Sequence, residues 1–115
     1  MSITLEKSRK FAIRIYNLSK YLSDEKREYV LAKQILRSGT SIGANLSEAK
    51  YSVSRKEFLV KTKIALKECA ETEFWLDLLK QVNLLSQPDY NSISKDCIEL
   101  IRLLTTSVKS ISSNK

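Results

Sequence analysis

The chain has 115 residues, enough for one domain with a single hydrophobic core that folds without disulfides. Its two glycines and one proline supply too little turn material for a β fold, and no stretch approaches the roughly 20 apolar residues of a membrane span. Twenty basic residues against thirteen acidic ones give a formal net charge of +7, which favours solubility and an anionic partner such as nucleic acid.

Apolar residues recur at steps of three and four along four segments, a pattern that predicts four α-helices. Ser23 is the predicted N-cap of the second helix, and Ser54 with Glu57 forms an S-x-x-E capping box at the start of the third. Pro88 suits the first turn of the fourth helix. The predicted helices cover about residues 3–22, 26–50, 54–85 and 86–111.

The predicted connections are only a few residues long, so successive helices are expected to run antiparallel. The sequence therefore predicts an all-α fold, an antiparallel up-down four-helix bundle that forms a single domain over residues 1–115, with a frayed tail at residues 110–115. The first residues contain no apolar run of the kind that forms a signal-peptide core, so we expect a cytoplasmic protein.

Two cysteines are too few for a disulfide framework, and both lie on apolar helix stripes. We expect Cys69 and Cys97 to be buried and reduced. Counted from the turn near Ser86, the two positions differ by about six residues, or ~9 Å along antiparallel helices. Because a disulfide needs Cα atoms within roughly 7 Å of each other, we expect none within one chain.

The second helix contains an unusual run of small residues around Gly39 and Gly43, each of which costs about 1 kcal/mol relative to alanine in a helix interior. Small residues on a helix face allow a second backbone to come close. Four polar residues also recur there at steps of four, four and three, which places them along one face. We expect them to form hydrogen bonds that fix the register to the next helix or between subunits, with ligand binding as the alternative. These residues are Arg37, Ser41, Asn45 and Glu48.

The run LRSGTSIGANLSEA at residues 36–49 resembles the hallmark of the 23S rRNA intervening-sequence protein family. The segments KEF at residues 56–58 and IALKECAETE at residues 64–73 are similar to that family's second block, and the resemblance covers roughly residues 8–108. It implies a bacterial up-down four-helix bundle, often assembled as a cyclic pentamer. A related branch is the accessory protein of diversity-generating retroelements, which implies binding to nucleic acid and to a nucleic-acid enzyme, a reverse transcriptase.

The chain contains no histidine, which excludes Ser-His and Cys-His nucleophile pairs and the Glu-x-x-His motif of di-iron bundles. Four carboxylates of the third helix, those of Glu68, Glu71, Glu73 and Asp77, form an acidic patch. We interpret the patch as a solvated face, although these carboxylates would also suit a divalent cation. The sequence therefore predicts a non-enzymatic protein with no cofactor and no committed metal site.

Positive charge is concentrated at one end of the predicted bundle. Residues 1–14, 37–67 and 102–115 share that end and carry a formal charge of +11, whereas the rest of the chain carries −4. Such a surface attracts phosphate backbones without reading sequence. Tyr51 lies in this region. Its ring would either stack on an unpaired base or be half-buried against the end of the bundle. The candidate nucleic-acid-binding residues are Lys7, Lys10, Arg14, Lys50, Tyr51, Arg55, Lys56 and Lys63.

The third helix is apolar on more than one face between Cys69 and Leu79. A second stripe beside the core stripe predicts burial against a partner, and Phe74, Trp75 and Leu78 are the predicted oligomer interface. The simplest partner is another copy of the chain. The alternative is a monomer with a larger core, in which the third helix is central and would show the same two apolar stripes.

Together these patterns predict a homo-oligomeric basic helical bundle that binds nucleic acid or a nucleoprotein partner. The alternative is a protein–protein interaction scaffold with no nucleic-acid role, in which the charge serves only solubility and assembly.

Overall fold

Four α-helices form the computed structural model, which describes residues 2–113. The helices are α1 (Ser2–Asp24), α2 (Tyr29–Ala49), α3 (Arg55–Gln81) and α4 (Gln87–Ser113). This part of the chain contains no β-strand, and its Cα atoms extend over 48 × 21 × 19 Å. The prediction of an all-helical protein with four helices is confirmed.

The contacts between α3 and α4 run in opposite order along the two helices. Arg55, at the start of α3, donates a hydrogen bond to the carbonyl of Ile111 near the end of α4. At the other end of the same pair, the hydroxyl of Tyr90 donates to Asp77. The connections of a few residues between helices require this order.

Most of the core comes from the apolar stripes that the spacing predicted, although Leu18, Val108 and Ile111 of these stripes are only partly buried. Every predicted stripe position of α2 is buried, and in α3 only Phe58 at its beginning is partly exposed. The predicted stripes are Ala32, Ile35, Gly39, Ile42, Leu46 and Ala49 in α2, and Phe58, Thr62, Ala65, Cys69, Thr72, Leu76 and Leu79 in α3. Each fully buried leucine, isoleucine or phenylalanine contributes roughly 1.5–3 kcal/mol of hydrophobic stabilisation, so the stripes dominate the folding energetics. The largest fully buried apolar side chains are Phe11, Ile15, Leu22, Ile35, Ile42, Leu46, Leu76, Leu79, Leu100 and Leu104.

The predicted start of α2 is wrong, whereas the predicted start of α3 is confirmed. Ser23 lies inside α1, and the N-cap of α2 is Glu28, whose carboxylate accepts a hydrogen bond from the backbone N–H of Leu31 at 3.4 Å. The end of α1 is closed instead by Arg27, which adopts a left-handed φ of 53°. At α3, the hydroxyl of Ser54 accepts from the N–H of Glu57 at 3.0 Å, as the capping box requires.

The third helix ends at Gln81, four residues before the predicted end at Leu85. Asn83 adopts a left-handed φ of 64°, and the N–H of Leu84 bonds to the carbonyl of Leu79 at 2.9 Å. This is a Schellman termination with asparagine in the position that glycine usually occupies. Leu85 continues the apolar pattern but covers the core from the loop.

The fourth helix continues through Ser113, so residues 110–113 of the tail that was predicted to be frayed are helical. The rest of the predicted tail, residues 114 and 115, lies outside the described residues.

The early end of α3 overturns the predicted register of the cysteines. Cys69 lies 12 residues before Gln81 and Cys97 lies 10 residues after Gln87, a difference of only two residues, or ~3 Å. Both cysteines are buried, as predicted, and their Sγ atoms are 3.8 Å apart. The ~9 Å offset, and with it the argument against an intrachain disulfide, is therefore wrong.

The small residues of α2 allow α1 to approach closely. A Cβ atom added at Gly39 would lie 2.7 Å from Cγ2 and 2.8 Å from Cγ1 of Ile15, a side chain with no exposed surface. At Gly43 an added Cβ atom would lie 3.0 Å from the hydroxyl oxygen of Ser8 and at ordinary contact distances of 3.6 and 3.8 Å from its Cβ atom and carbonyl carbon. Gly39 is thus required by the packing, which outweighs its poor helix propensity.

We expect Gly39→Ala to lower the free energy of unfolding by about 1–2 kcal/mol. Overpacking against Ile15 costs about 1–3 kcal/mol, and the better helix propensity of alanine recovers at most about 1 kcal/mol. Gly43→Ala is the matched control and should cost clearly less, because it crowds a single hydroxyl. Urea unfolding followed by circular dichroism measures both, and equal stability of the two variants would contradict the close approach at Gly39.

Candidate nucleic-acid interface

The connection between α2 and α3 presents an exposed tyrosine. After α2 ends at Ala49, the N–H of Tyr51 bonds to the carbonyl of Glu48 at 3.0 Å, and this turn directs Tyr51 outward. Its side chain is 77% exposed, and the ammonium group of Lys50 lies 5.9 Å from the ring centroid. The half-buried position considered for this ring is wrong, and the ring is accessible for stacking.

An exposed basic row follows Tyr51 along the first half of α3. Lys56, Lys63 and Lys67 are exposed and separated by seven and four residues, a spacing that places them on one helix face. Among the described residues, none of the three has a carboxylate oxygen within 4 Å of its ammonium group. Lys67 was missing from the predicted set, although its spacing from Lys63 was visible in the sequence.

Arg55 has a structural role as well as a charge. Its Nε–H donates to the carbonyl of Ile111 at 3.4 Å, which holds the last turns of α4 beside the first turn of α3. Lys109, two residues before Ile111, is exposed at the same end of the bundle. We use "basic end" for the surface formed by Lys50, Tyr51, Arg55, Lys56, Lys63 and Lys67.

The predicted cations of α1 are all engaged by carboxylates. Two of them connect α1 to α4, and the third pairs within its own helix. The ion pairs are Lys7–Glu99 at 3.3 Å, Arg14–Asp96 at 2.7 Å and Lys10–Glu6 at 3.7 Å. Lys7 and Arg14 thus tie α1 to α4, and all three cations contribute less net field than the lysines of the exposed row on α3.

Two of the four polar residues predicted along α2 reach α3. Arg37 donates to Glu68 at 3.3 Å and also to Glu71, and Lys61 donates to Glu48 at 2.7 Å. Next to the ion pairs of Arg37, the buried hydroxyls of Ser38 and Thr72 are hydrogen-bonded at 2.8 Å. Sequence reasoning did not single out this buried pair.

The other two polar residues of the α2 set bond within their own helix. The hydroxyl of Ser41 donates to the carbonyl of Arg37 at 2.6 Å, and the side-chain amide of Asn45 donates to the carbonyl of Ser41 at 2.9 Å. Side chains of these types commonly bond back to the preceding helical turn. The predicted network is therefore divided between helix–helix contacts at Arg37 and Glu48 and local contacts at Ser41 and Asn45.

The carboxylates of the acidic patch bind different side chains. Glu68 and Glu71 accept from Arg37, and Glu71 also accepts from the indole N–H of Trp75 at 2.9 Å. Asp77 accepts from the hydroxyl of Tyr90, and this hydrogen bond raises the pKa of that phenol. Within residues 2–113, no three carboxylate or thiol groups are arranged to hold a metal ion.

The predicted oligomer interface is exposed only in part. Phe74 is 59% exposed and meets Trp75 edge-to-face, with ring centroids 5.1 Å apart. Trp75 packs against the core of its own chain, and Leu78 is half-buried. Phe74 is therefore the residue of this set with the most apolar surface available to a partner.

The charge of α3 changes sign along its length. Residues 55–67 contain five basic side chains and one acidic side chain, whereas residues 68–81 contain four acidic side chains and one basic. The cations occupy the N-terminal half, where the helix dipole is already positive and acidic residues would be more stabilising. Helix stability alone therefore does not account for Arg55 and Lys56 in the first turn.

A groove of about 430 Å³ lies between α1 and α4, far from the basic end. Its walls include Leu18, Leu84 and Ile93, with Arg14 and Asp89 among the polar residues. Arg14 is already bound to Asp96. The described residues that line this groove therefore do not offer an unpaired cation together with an unpaired carboxylate.

The fold and the surface charge define the class of this protein as a basic four-helix bundle with one cationic end. No helix within residues 2–113 is both long enough and apolar enough to cross a membrane. The model of the 23S rRNA-intervening sequence protein family matches residues 2–106, nearly the whole chain. The chain belongs to this family, as the resemblance of its sequence motifs predicted.

A solved relative has the same fold. The chain is similar to a protein of unknown function from the S23 ribosomal protein family of Bacteroides thetaiotaomicron, whose crystal structure it matches with a TM-score of 0.91 and 49% sequence identity. The match covers 92% of this chain and 98% of the relative. No curated protein matches the sequence.

Proposed function

We propose that this antiparallel, up-down bundle assembles with copies of itself and binds single-stranded RNA or DNA at its basic end. It acts in the cytoplasm without catalysing a reaction. One observation carries the proposal: Lys56, Lys63 and Lys67 are exposed on one face of α3 without an ion-pair partner among residues 2–113, and the ring of Tyr51 is exposed in the turn that precedes this helix.

The lysine row suits a phosphate backbone. At 1.5 Å per residue, Lys56 and Lys63 are ~10 Å apart along α3, and Lys63 and Lys67 are ~6 Å apart. These separations allow consecutive or alternate phosphates of an extended strand to meet successive ammonium groups. Binding of this kind releases condensed counterions and is insensitive to sequence.

Tyr51 favours a single strand over a duplex. An exposed aromatic ring next to cations offers a stacking surface to an unpaired base, whereas the bases of a duplex are already stacked on one another. Lys50, close to the ring, adds a phosphate contact at the same turn.

Self-association would multiply the weak binding of one basic end. In a cyclic assembly all subunits are related by rotation about one axis, so their basic ends lie at the same height along it. A strand that contacts several basic ends binds more tightly than one subunit alone allows. The exposed Phe74 supports such an assembly, and the pentamer implied by the family resemblance is our proposed form.

A nucleic-acid enzyme is a further proposed partner, as for the accessory protein of diversity-generating retroelements. In that role the bundle would hold nucleic acid close to the enzyme. The competing function is a protein–protein scaffold whose charge serves only solubility and assembly, and absence of RNA and DNA binding at low salt would favour it.

We expect the triple variant Lys56→Gln, Lys63→Gln, Lys67→Gln to bind a single-stranded oligonucleotide more than roughly tenfold more weakly than the unmodified chain, because three phosphate contacts are lost. The control Lys26→Gln, Lys33→Gln, Lys95→Gln removes the same charge at exposed sites away from the basic end and should change affinity by less than about twofold. Fluorescence anisotropy measures both. Equal losses would show general attraction to a basic protein and contradict a localised site.

Tyr51→Ala should weaken binding to single-stranded RNA by roughly tenfold, since stacking on an aromatic ring contributes about 1–3 kcal/mol per base. Tyr51→Phe should retain affinity, and binding to duplex RNA should not change. Tyr29→Ala, which removes another exposed ring at the start of α2, is the control. An equal loss on duplex and single strands would rule out stacking.

Phe74→Ser should shift the protein from oligomer to monomer in sedimentation-velocity experiments at micromolar concentration, because it removes the exposed ring from the proposed interface. Unfolding should be little affected, since the side chain lies mainly outside the core. Ile98→Ser, at an exposed position of α4, should leave the oligomer intact. A monomeric mass for the unmodified chain would refute self-association.

A further inference from the structure

Two thiols meet at the centre of the interface between α3 and α4. The Sγ atoms of Cys69 and Cys97 are 3.8 Å apart, and neither residue has exposed surface. Each sulfur also lies 3.5 Å from the backbone carbonyl oxygen of the other residue. This reciprocal arrangement shows that the two residues face each other at the same height on antiparallel helices.

The geometry suits a covalent bond between the two sulfurs. A disulfide has an S–S distance of about 2.05 Å, so the sulfurs must approach by somewhat less than 2 Å. Because the residues are directly opposed, rotation about the two Cα–Cβ bonds supplies most of this movement.

We propose that Cys69 and Cys97 form a site of reversible oxidation, at which a small-molecule disulfide converts the two thiols into an intrachain disulfide that joins α3 to α4. The first cysteine thiolate attacks the reagent, which forms a mixed disulfide and releases one reagent thiol. The second thiolate attacks the protein sulfur of that mixed disulfide and releases the second reagent thiol. The two protein thiol protons end on the two released thiols, and the protein loses two electrons to the reagent.

Burial makes this reaction slow in the closed bundle. The hydrogen bond with Cys69 and the surrounding apolar core both raise the pKa of the Cys97 thiol, which suppresses the reactive thiolate. The reagent reaches the sulfurs only when α3 and α4 separate transiently. The site therefore responds to sustained oxidation and to local opening rather than to brief exposure.

The bond would stabilise the whole bundle. It closes a loop between residues 28 positions apart, which includes the α3–α4 connection. Restricting that loop in the unfolded chain is expected to raise Tm by roughly 10 °C.

The test incubates the full chain with oxidised glutathione under native conditions and follows its intact mass. We expect a loss of two hydrogen atoms with no retained glutathione, a linked peptide pair containing Cys69 and Cys97, and a higher Tm that returns on reduction. Low concentrations of urea should accelerate the reaction, because they increase opening. Cys69→Ala and Cys97→Ala are the controls and should show neither the mass loss nor the reversible rise in Tm.

Four results would overturn the proposal, and none depends on how well the variants fold; the first three concern the product that forms. They are a retained glutathione adduct without cyclisation, crosslinks only between chains, or an intrachain bond that leaves Tm unchanged or lowered. Absence of any product in the native protein, under conditions that oxidise the urea-unfolded chain, would overturn it as well.

Discussion

The alignment of α2 against α3 is the constraint on which the rest of the surface depends. The hydroxyls of Ser38 and Thr72 are buried at this interface and satisfy each other at 2.8 Å. Each hydroxyl also has an acceptor in its own helix, the carbonyl of Ile35 for Ser38 and that of Glu68 for Thr72, so a shift of one helix along the other would cost the interhelical hydrogen bond, about 0.5–1.5 kcal/mol. The close contact of Gly39 with Ile15 positions the same segment of α2 against α1. The register of three helices is thus set within one short stretch of α2.

That register decides which charges are neutralised. Arg37 meets Glu68 and Glu71 at the beginning of the acidic half of α3, and Lys61 meets Glu48 in the basic half. Glu48, Glu68 and Glu71 are therefore bound to Lys61 and Arg37, whereas the lysines of the exposed row have no carboxylate partner among residues 2–113. Surface ion pairs of this type contribute little to stability, about 0–1 kcal/mol each, so their main effect is on the shape of the electrostatic field.

The sequence predicted the features that depend on spacing within one helix and missed those that depend on contacts between helices. The apolar stripes, the capping box at Ser54 and the family membership were all accessible from the sequence. The helix ends at Arg27 and Asn83 were not, because a left-handed residue other than glycine gives a weak signal. The apolar residues that follow Asn83 prolonged the apparent helix, which displaced the predicted register of the cysteines. The ion pairs of the α1 cations were missed as well. The spacing of apolar residues within one helix does not show how far that helix is shifted along its neighbour.

The most direct test of a localised phosphate-binding surface is the salt dependence of affinity for a single-stranded oligonucleotide. A plot of log affinity against log salt concentration has a slope of about −0.7 per neutralised phosphate for single strands. We predict a steep slope for the unmodified chain, and one shallower by about two for the variant without Lys56, Lys63 and Lys67. Identical slopes for the two proteins would contradict the account, because the lysine row would then neutralise no phosphate.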